Sequence, residues 1–416
     1  MSDDPVDWLY GLQSHGIKLG LDGIRALLAL LDRPEHAFPT ILVGGTNGKG
    51  SVAAMLDAML RAHGCRVGLT TSPHLVGPEE RIRIDGHDVT AHELSRLLER
   101  VRAACRRGLD DGSLLAHPSF FEVITAAALS GFEEAGVDVA VLEVGLGGRL
   151  DATNATEPVV SVLVTIDLDH VATLGSTLAA IAGEKVAIAR AGCPLVSGVT
   201  QEEALAVMRE HCDAIGARLV ATPALPPGLE PPLPGDHQRH NAAVAVAALS
   251  EAARVLGFSI RDDAVRAGLA ATRWPGRLQL VAGSPSLLLD GAHNPAGSEA
   301  LARHLASAGG PRPVLVFAAM QDKDVAGLIG PLLPHVGTVV ATAPAVARAL
   351  PPPELAARIA SAGGHAEAAA TSREALERAR ALAGPEGCVV VAGSLYLVGE
   401  VLAIVEGREA RGPVAM

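Results

Sequence analysis

The chain has 416 residues, of which 49% are hydrophobic, 19% are charged and only 2% are aromatic, and its formal net charge is −12. This length predicts two or three domains with ample apolar material for their cores. The acidic balance argues against a nucleic-acid surface, so we expect no nucleic-acid partner, and anionic ligands must meet local cations in clefts.

The sequence shows no sign of a membrane or secreted protein. No apolar run approaches the roughly 18 residues that suggest a membrane span. No secretory segment precedes Trp8, and none of the five cysteines forms a CxxC pair. We therefore expect a cytoplasmic protein with reduced thiols and no membrane partner.

The first organising element is a glycine-rich turn between a strand and a helix. Two short helical patterns in residues 1–39 precede the apolar strand 40–43, which leads into Gly-Gly-Thr-Asn-Gly-Lys49-Gly-Ser51. Glycines let the backbone wrap an anion, the helix N-terminus supplies positive potential, and Lys49 reaches toward the β- and γ-phosphates. The usual pattern has no Gly50 between the lysine and the hydroxyl residue, and it begins with a glycine where Val43 stands. We interpret the turn as a phosphate loop.

Two apolar strands follow, and each ends in polar residues. Before them, the pattern predicts a helix over 50–63, strands over 66–71 and 80–85, and helices capped by Thr90 and Ser119. The continuous apolar runs 137–144 and 159–166 are typical of a parallel sheet covered on both faces. Ligands of such sheets bind beyond the carboxyl ends of the strands. We therefore expect Glu143, Asp151, Asp169 and His170 at the edge that carries the phosphate loop.

The first domain continues to about residue 275. Its remaining predicted elements are helices over 176–190, 201–215 and 237–256, strands over 194–198 and 217–221, and a proline-rich loop over 223–234. His237 and His240 are three residues apart, but without a third ligand we interpret them as the polar start of a helix. Pro275 and Gly276 break the pattern and mark the predicted domain boundary.

A second α/β domain is predicted beyond that boundary. Its elements are strands over 278–282 and 286–290, a helix over 295–308, a strand over 312–318, a helix over 323–333, a strand over 337–342, helices over 353–361 and 372–383, a strand over 388–392 and a helix over 395–405. Two domains that close over a nucleotide fit phosphoryl transfer. Oxygen-rich side chains at the first edge suit Mg²⁺, so spacing alone indicates a two-domain Mg–ATP enzyme.

Two other classes of nucleotide-dependent protein are less consistent with the sequence. An oxidoreductase is disfavoured, because no GxGxxG follows a strand with an acidic residue about 20 positions further on. A GTPase is compatible with the phosphate loop, but it leaves the second domain unexplained.

A series of motifs gives a more specific indication. They are Gly45-Thr-Asn-Gly-Lys-Gly-Ser51, Ser72-Pro-His-Leu75, Glu143-Val-Gly-Leu-Gly-Gly-Arg-Leu-Asp-Ala-Thr-Asn154, Asp169-His170, Glu184-Lys185, Asn241-Ala242, Trp274-Pro-Gly-Arg277, Asp290-Gly-Ala-His-Asn-Pro295, Asp322-Lys-Asp324 and Gly393-Ser394. Their order resembles that of the folylpolyglutamate synthase/dihydrofolate synthase family, the folate branch of the Mur ligases. The resemblance implies an α/β fold, with an N-terminal P-loop ATPase domain on a parallel sheet (1–275) and a smaller C-terminal Rossmann-like domain that binds glutamate (276–416).

The resemblance also implies an activity. Members of this family are ATP-dependent carboxylate–amine ligases: ATP phosphorylates a folate-side carboxylate, and the amino group of L-glutamate then displaces phosphate to form an amide. The implied substrates are ATP, L-glutamate and dihydropteroate or a tetrahydrofolate, the implied cofactor is Mg²⁺, and the family suggests a monomer.

Site residues are carried over by the matched motifs. The residues implied in catalysis are Lys49, Lys185 and His293. The implied ATP contacts are Thr46, Asn47, Gly48, Lys49, Gly50, Ser51, Asn241, Arg277 and Asp290. The implied magnesium ligands are Ser72, Glu143 and His170, and the residues similar to those near the glutamate site are His293 and Ser394. Lys185 is similar to the lysine that the family carbamylates with CO₂, a reaction that requires a neutral amine.

A further set of residues resembles the pterin and folate pocket of bifunctional bacterial members. It consists of Leu19, Gly20, Leu21, Ser119, Phe120, Phe121, Glu122, Leu150, Asp151 and Ala152. Phe120 and Phe121 would offer a flat apolar partner to a pterin ring. The set favours a bifunctional enzyme, and a monofunctional folylpolyglutamate synthase or a Mur-type ligase for another carboxylate stays open.

Three rival interpretations are less consistent with the sequence. Peptidoglycan Mur ligases carry an additional N-terminal domain of about 100 residues, whereas some 43 residues precede the loop here. A scaffold that binds ATP without catalysis would not need the full set of matched polar residues. A P-loop kinase would phosphorylate its acceptor without needing glutamate.

Overall fold

Two β-sheets organise the chain in the computed structural model, which describes residues 4–12, 20–408 and 410. The strands are β1 Thr40–Gly44, β2 Val67–Thr70, β3 Ile82–Ile84, β4 His87–Asp88, β5 Val139–Glu143, β6 Pro158–Leu163, β7 Pro194–Ser197, β8 Arg218–Ala221, β9 Gln279–Val281, β10 Ser286–Leu289, β11 Val314–Phe317, β12 Val339–Ala341, β13 Ala366–Ala368 and β14 Cys388–Ala392. The first sheet has the order β4-β3-β2-β5-β1-β6-β7-β8, and the second has the order β13-β12-β11-β14-β10-β9. Only the edge pairs β2–β3, β3–β4 and β9–β10 are antiparallel among the described strand pairs.

Helices cover both faces of both sheets. They are α1 Pro5–Gly11, α2 Asp22–Leu30, α3 Lys49–Ala62, α4 Ala91–Asp111, α5 Phe120–Ala135, α6 Val171–Leu174, α7 Leu178–Val186, α8 Glu202–Ile215, α9 Asp236–Leu256, α10 Asp262–Ala271, α11 Pro295–Ala308, α12 Val325–Ile329, α13 Pro352–Ser361, α14 Ser372–Ala383 and α15 Leu395–Glu406. On the first sheet, α3, α9 and α10 pack on one face, and α1, α2, α4, α5, α7 and α8 pack on the other. On the second sheet, α11 to α13 lie opposite α14 and α15. The predicted α/β fold with two parallel sheets is confirmed.

The central strands are apolar along their whole length because both of their faces are covered. Every residue of β1 is buried. Ile41 and Val43 pack into the core beneath α3 and α9, whereas Leu42 between them packs into the core on the opposite face. Successive side chains of a strand point to opposite faces, so a doubly covered strand needs an apolar residue at each position. No helix of the described chain is long and apolar enough to cross a membrane.

Two predicted helices differ in length from the structure, and α6, α10, β4 and β13 were not predicted. Helix α7 begins two residues later than the predicted 176–190, because Thr177 caps its start, and it ends at Val186. Helix α12 ends at Ile329, well short of residue 333, where Gly330 and Pro331 follow; proline lacks the N–H that a helix needs and clashes with the preceding turn. Strand β13 was not predicted, because its Ala-Glu-Ala sequence lacks the apolar signal of a strand.

The turn after β2 joins the two sheets. Leu75 and Val76 belong to the apolar core of the second sheet, together with side chains of α15. Gly399 of α15 lies directly against the backbone of Leu75, where any side chain would collide. This close packing holds the Ser72–Val76 turn between the sheets. The predicted division of the chain at residues 275 and 276 stays a prediction.

Candidate active site

The phosphate loop joins β1 to α3. Gly48 has a φ of 82° and is the N-cap of α3, a left-handed conformation that favours glycine. A Cβ at this position would lie 2.5 Å from Oδ1 of Asn241, so the glycine also lets α9 approach the loop. Nζ of Lys49 donates a hydrogen bond to the carbonyl of Thr46 at 3.2 Å. The lysine thus lies over the loop without a carboxylate in direct contact.

Residues that follow β6 hold the loop in place. The N–H of Thr46 donates to the carbonyl of Thr165 at 2.8 Å, and the N–H of Asn47 donates to Oγ1 of the same threonine at 2.9 Å. Nδ2 of Asn47 donates to Asp167 at 3.2 Å. Because β1 and β6 are parallel neighbours, the residues beyond their carboxyl ends meet, as the sequence predicted.

Ser72, Glu143 and His170 offer atoms that fit a metal ion. Oγ of Ser72 is buried and has no hydrogen-bond partner, and the Ser72 N–H donates to Oε2 of Glu143 at 2.9 Å. Burial lowers the pKa of His170 to about 4, so its imidazole is neutral near pH 7 and can offer a lone pair. A hydroxyl, a carboxylate and an imidazole suit a hard divalent ion that keeps water or phosphate oxygens as its other ligands.

Protein side chains alone do not complete a metal centre here. Within the described ranges, no group of three or more His, Cys, Asp or Glu residues could hold a metal ion. Burial raises the pKa of Glu143, and the positive charge of Lys49 is the largest effect opposing that rise. A cation placed beside Glu143 would favour its ionised form in the same way.

A cavity of about 310 Å³ lies between the two sheets at this edge. Of the residues predicted for ATP, metal, glutamate or catalysis, those that line it are Thr46, Asn47, Gly48, Lys49, Gly50, Ser51, Ser72, Glu143, His170, Asn241, Arg277, Asp290, His293 and Ser394. Lys185 is the exception. The structure therefore brings these residues to one place, although their individual roles stay predictions.

The turn after β10 brings residues of the second sheet to the cavity wall. The carboxylate of Asp290 accepts from the N–H groups of Leu278 and Ala292, both at 2.9 Å, which fixes the turn. Gly291 leaves room for the guanidinium of Arg277. Burial raises the pKa of Asp290 and lowers that of Arg277, and the charge of each partner opposes the shift of the other. The pair brings a buried cation and a buried anion to the cavity wall.

Asp169 connects the two sheets across the cavity. Its Oδ1 accepts from Nζ of Lys323 at 2.5 Å, and its Oδ2 accepts from Nδ2 of Asn294 at 3.2 Å. Nε2 of His293 and Nε2 of His170 lie 3.6 Å and 3.9 Å from the same Oδ2. Burial raises the pKa of Asp169, but the surrounding imidazoles and Lys323 more than offset this and hold it well below its usual range. The ionised carboxylate therefore ties the loop after β6 to the loops of the second sheet.

Lys185 lies behind the phosphate loop instead of in the cavity wall. Its Nζ donates to the carbonyl of Gly45 at 3.0 Å, and the residue is only 5% exposed. Burial, reinforced by repulsion from Lys49, lowers the pKa of Lys185 to about 7. A lysine on a helix surface would be fully protonated at neutral pH, whereas this amine is substantially neutral.

The residues predicted to bind pterin or folate lie outside the wall of this cavity, as far as the structure describes them. Leu19 lies outside the described residues. The apolar cluster on the α5 face of the first sheet includes or contacts Leu21, Phe120, Phe121 and Ala152. Gly20 is half-buried, and Leu150 is 38% exposed. The segments are thus neighbours on one side of the first sheet.

Polar members of this set stabilise backbone turns. Ser119 and Glu122 form a capping box at the start of α5, with Oγ of Ser119 donating to Oε2 of Glu122 at 2.7 Å. The carboxylate of Asp151 accepts from the N–H groups of Gly145, Leu146 and Thr153 at 2.9 to 3.0 Å. The glycine-rich loop after β5 is therefore built around Asp151, and the sequence did not predict this structural role.

Lys323 and Arg348 were not predicted as site residues, yet both line the cavity. Lys323 belongs to the Asp322-Lys-Asp324 motif, for which the resemblance implied no role. Composition held a signal that could have found it: the chain has only four lysines, at positions 18, 49, 185 and 323. Three of these lie at or directly behind the cavity. The sequence offers no comparable signal for Arg348, because arginine is common in the chain.

Comparisons with known proteins agree with this arrangement. Residues 276–395 match the model of the Mur ligase, glutamate ligase domain. The chain is 39% identical, over 95% of its length, to the probable bifunctional folylpolyglutamate synthase/dihydropteroate synthase of Haloferax volcanii, and it spans 50% of that relative's length. It is 36% identical, over 78% of its length, to the dihydrofolate synthase/folylpolyglutamate synthase of Bacillus subtilis and spans 81% of that protein.

Solved structures extend the similarity over both sheets. Escherichia coli FolC in complex with DHPP and ADP superposes with a TM-score of 0.87 at 30% identity, covering 98% of each chain. The bifunctional folylpolyglutamate synthase/dihydrofolate synthase of Yersinia pestis, complexed with AMPPNP and Mn ion, has a TM-score of 0.86 at 30% identity and covers 97% of this chain and 98% of its own. Both relatives thus bind a nucleotide, and the second also holds a divalent metal.

Proposed function

We propose that this chain, which belongs to the folylpolyglutamate synthase/dihydrofolate synthase family, is an ATP-dependent ligase that attaches L-glutamate to a folate-side carboxylate. The accepting group is the carboxylate of dihydropteroate, the γ-carboxylate of a tetrahydrofolate, or both. One observation supports this most: a single cavity is lined by the phosphate loop, by the Ser72–Glu143–His170 group and by the polar turns of the second sheet.

The reaction requires two displacements. A carboxylate oxygen of the acceptor attacks the γ-phosphorus of ATP, and ADP leaves with the electrons of the broken P–O bond. The amino nitrogen of glutamate then attacks the acyl carbon, inorganic phosphate leaves, and the nitrogen loses a proton to give the amide. Such transfers depend mainly on positioning and on charge stabilisation, which this cavity offers from both sheets.

Each group of side chains has a proposed task. Lys49 and the N–H groups of residues 46–51 bind the phosphates, and Asn241, Arg277 and Asp290 contact the nucleotide. Ser72, Glu143 and His170 hold Mg²⁺, which when bound neutralises charge on the phosphoryl oxygens. The unpartnered hydroxyl of Ser72 supports this assignment. His293 and Ser394 serve the glutamate site.

The two sheets divide these tasks. We assign nucleotide and acceptor binding to residues 1–275 and glutamate binding to residues 276–416. The match of residues 276–395 to a glutamate ligase domain supports this division. The acceptor's pterin ring binds beside Phe120 and Phe121, and the ligase acts as a monomer.

Lys185 is the proposed site of carbamylation by CO₂. Only the neutral amine attacks CO₂, and the pKa of about 7 makes that form available near neutral pH. The neutral fraction rises with pH, from roughly a tenth at about pH 6 to roughly nine tenths at about pH 8. At fixed dissolved CO₂, we expect a ¹³C carbamate NMR signal to grow over this range in wild type and to be absent in Lys185→Arg. A wild-type protein without the signal at the upper pH would overturn the assignment.

Phosphate release with purified protein, ATP and Mg²⁺ tests the function. We expect release only when glutamate is present together with dihydropteroate or tetrahydrofolate, and a product heavier by one glutamyl unit in mass spectrometry. Release with both acceptors would make the enzyme bifunctional. Glutamate-independent release would indicate a kinase or an ATPase, and no release with either acceptor would indicate a different Mur-type substrate.

A further inference from the structure

Arg81 is buried, and most of the N–H groups of its guanidinium have no hydrogen-bond partner. It ends the 3-10 turn Pro78–Arg81 and is 1% exposed. Its Nε donates to Nδ1 of His74 at 2.8 Å, but Nη1 and Nη2 are buried and have no hydrogen-bond partner. Burial lowers the pKa of Arg81 to about 10, which still leaves the guanidinium cationic at neutral pH. A buried charge with unsatisfied donors is costly for the fold, and an anion bound to these donors would offset that cost.

The nearest carboxylates of the protein are already engaged. Oε1 and Oε2 of Glu80 accept from the N–H groups of residues 75–77, at 2.7 to 2.9 Å. Glu143 accepts from the N–H of Ser72 at 2.9 Å. Both act on Arg81 only through their electrostatic field. The N–H groups of Nη1 and Nη2 are therefore left without an acceptor by the described part of the chain.

The position of Arg81 suggests where the anion comes from. The guanidinium carbon lies 5.1 Å from the ring centroid of Phe120, a residue of the predicted pterin segment. Glu143 and Tyr396, which both line the cavity, interact with Arg81 electrostatically. Arg81 thus contacts the proposed pterin segment and lies within electrostatic reach of the cavity wall. The accepting carboxylate has to lie between the pterin ring and the proposed site of phosphoryl transfer.

We propose that Arg81 binds the carboxylate that accepts glutamate. The inference rests on the proposed function and adds the residue that recognises the charge of the acceptor. A guanidinium offers two parallel N–H donors that match the two oxygens of a carboxylate. Contact with Phe120 and the hydrogen bond to His74 fix the plane of the guanidinium, so its remaining donors are already oriented. Because Arg81 is only 1% exposed, this binding requires the side chains around the guanidinium to shift when the acceptor enters.

A ligand-and-mutant cycle tests this binding role. The acceptor is dihydropteroate, or tetrahydrofolate if only that is a substrate, and the comparison ligand is the same molecule with its accepting carboxylate converted to a primary amide. In Arg81→Gln, we expect calorimetry to show roughly 100-fold weaker binding of the acceptor, as expected for loss of charge-assisted hydrogen bonds. Binding of the neutral amide should change little. KM for ATP and for glutamate should stay near wild type.

Arg83→Gln is the matched control, because Arg83 is on β3, its Nε donates to Asp88 at 2.7 Å, and it does not line the cavity. It should bind both ligands as wild type does. Equal weakening of acceptor and amide in Arg81→Gln, or a rise confined to the KM for glutamate, would overturn the inference. Failure of wild type to turn over either acceptor would instead reject the proposed function. Thermal unfolding of the free variants shows whether Arg81→Gln has kept its fold.

Discussion

Replacing Lys49 with alanine is expected to lower turnover by about two to three orders of magnitude, the usual cost of removing one preorganised charge from a transition state. Lys49 lies over the phosphate loop, and within the described part of the chain its ammonium hydrogen-bonds only to the carbonyl of Thr46. Losing that one partly buried bond should cost about 1 kcal/mol of unfolding free energy, a small effect. Steady-state phosphate release, with thermal unfolding of the same preparation, measures both quantities.

Two controls separate a local effect from a general loss of positive charge. Arg106→Ala removes an exposed cation from α4, far from the loop in sequence, and should leave turnover unchanged. Lys49→Arg keeps the charge but replaces a compact ammonium by a planar guanidinium, so it should restore only part of the activity. Wild-type turnover in Lys49→Ala would remove the residue from the site and revive the interpretation as a non-catalytic ATP-binding scaffold.

Local sequence patterns were sufficient to predict the first-sheet edge of the site. The phosphate loop lies where an apolar strand meets a glycine pair and a helix. The Glu143 and His170 positions follow apolar runs that had to be parallel strands. Parallel strands place their carboxyl ends together, so polar residues at those ends converge whatever the details of packing. At the edge of the second sheet, Asp290 and Ser394 were implied by motif resemblance, and they follow the parallel strands β10 and β14.

Contacts that depend on how the two sheets pack together could not be predicted. Asp169 and Lys323 are 154 residues apart, and nothing in the periodicity around either residue indicates that they pair. The burial of Lys185 and Arg81 was equally hidden, because a helix or a turn shows its exposed face only after its neighbours are known. Sequence reasoning on composition alone treats both as ordinary surface cations. Their properties come from the packing around them.

Asp151 shows a different limit. Motif resemblance placed it among the pterin-binding residues, and that role stays a prediction. Its carboxylate, however, is used by three backbone N–H groups of its own loop. A motif marks a residue as necessary without saying whether it contacts the ligand or builds the loop that does.

Glu143→Gln is expected to reduce turnover by at least about two orders of magnitude while preserving the local structure. The amide oxygen of glutamine can still accept the hydrogen bond from the Ser72 N–H, now made at 2.9 Å, so the turn after β2 should keep its shape. What is lost is a negative charge that faces Lys49, Arg277 and Arg81 and that would ligate the metal ion. When turnover is measured against Mg²⁺ concentration, half-maximal turnover should require more Mg²⁺ than in wild type, and the maximal turnover should be lower.

Glu143→Ala separates the two contributions of this carboxylate. It removes the charge and also leaves the Ser72 N–H buried without a partner, which costs about 1 to 3 kcal/mol. We therefore expect the alanine variant to unfold at a lower temperature than the glutamine variant, although both lose activity. Glu202→Gln, at a carboxylate on α8 that is 75% exposed, should match wild type in both assays. If Glu143→Gln binds Mn²⁺ with ADP as tightly as wild type in an electron paramagnetic resonance titration, Glu143 acts through the Ser72 turn and not as a metal ligand.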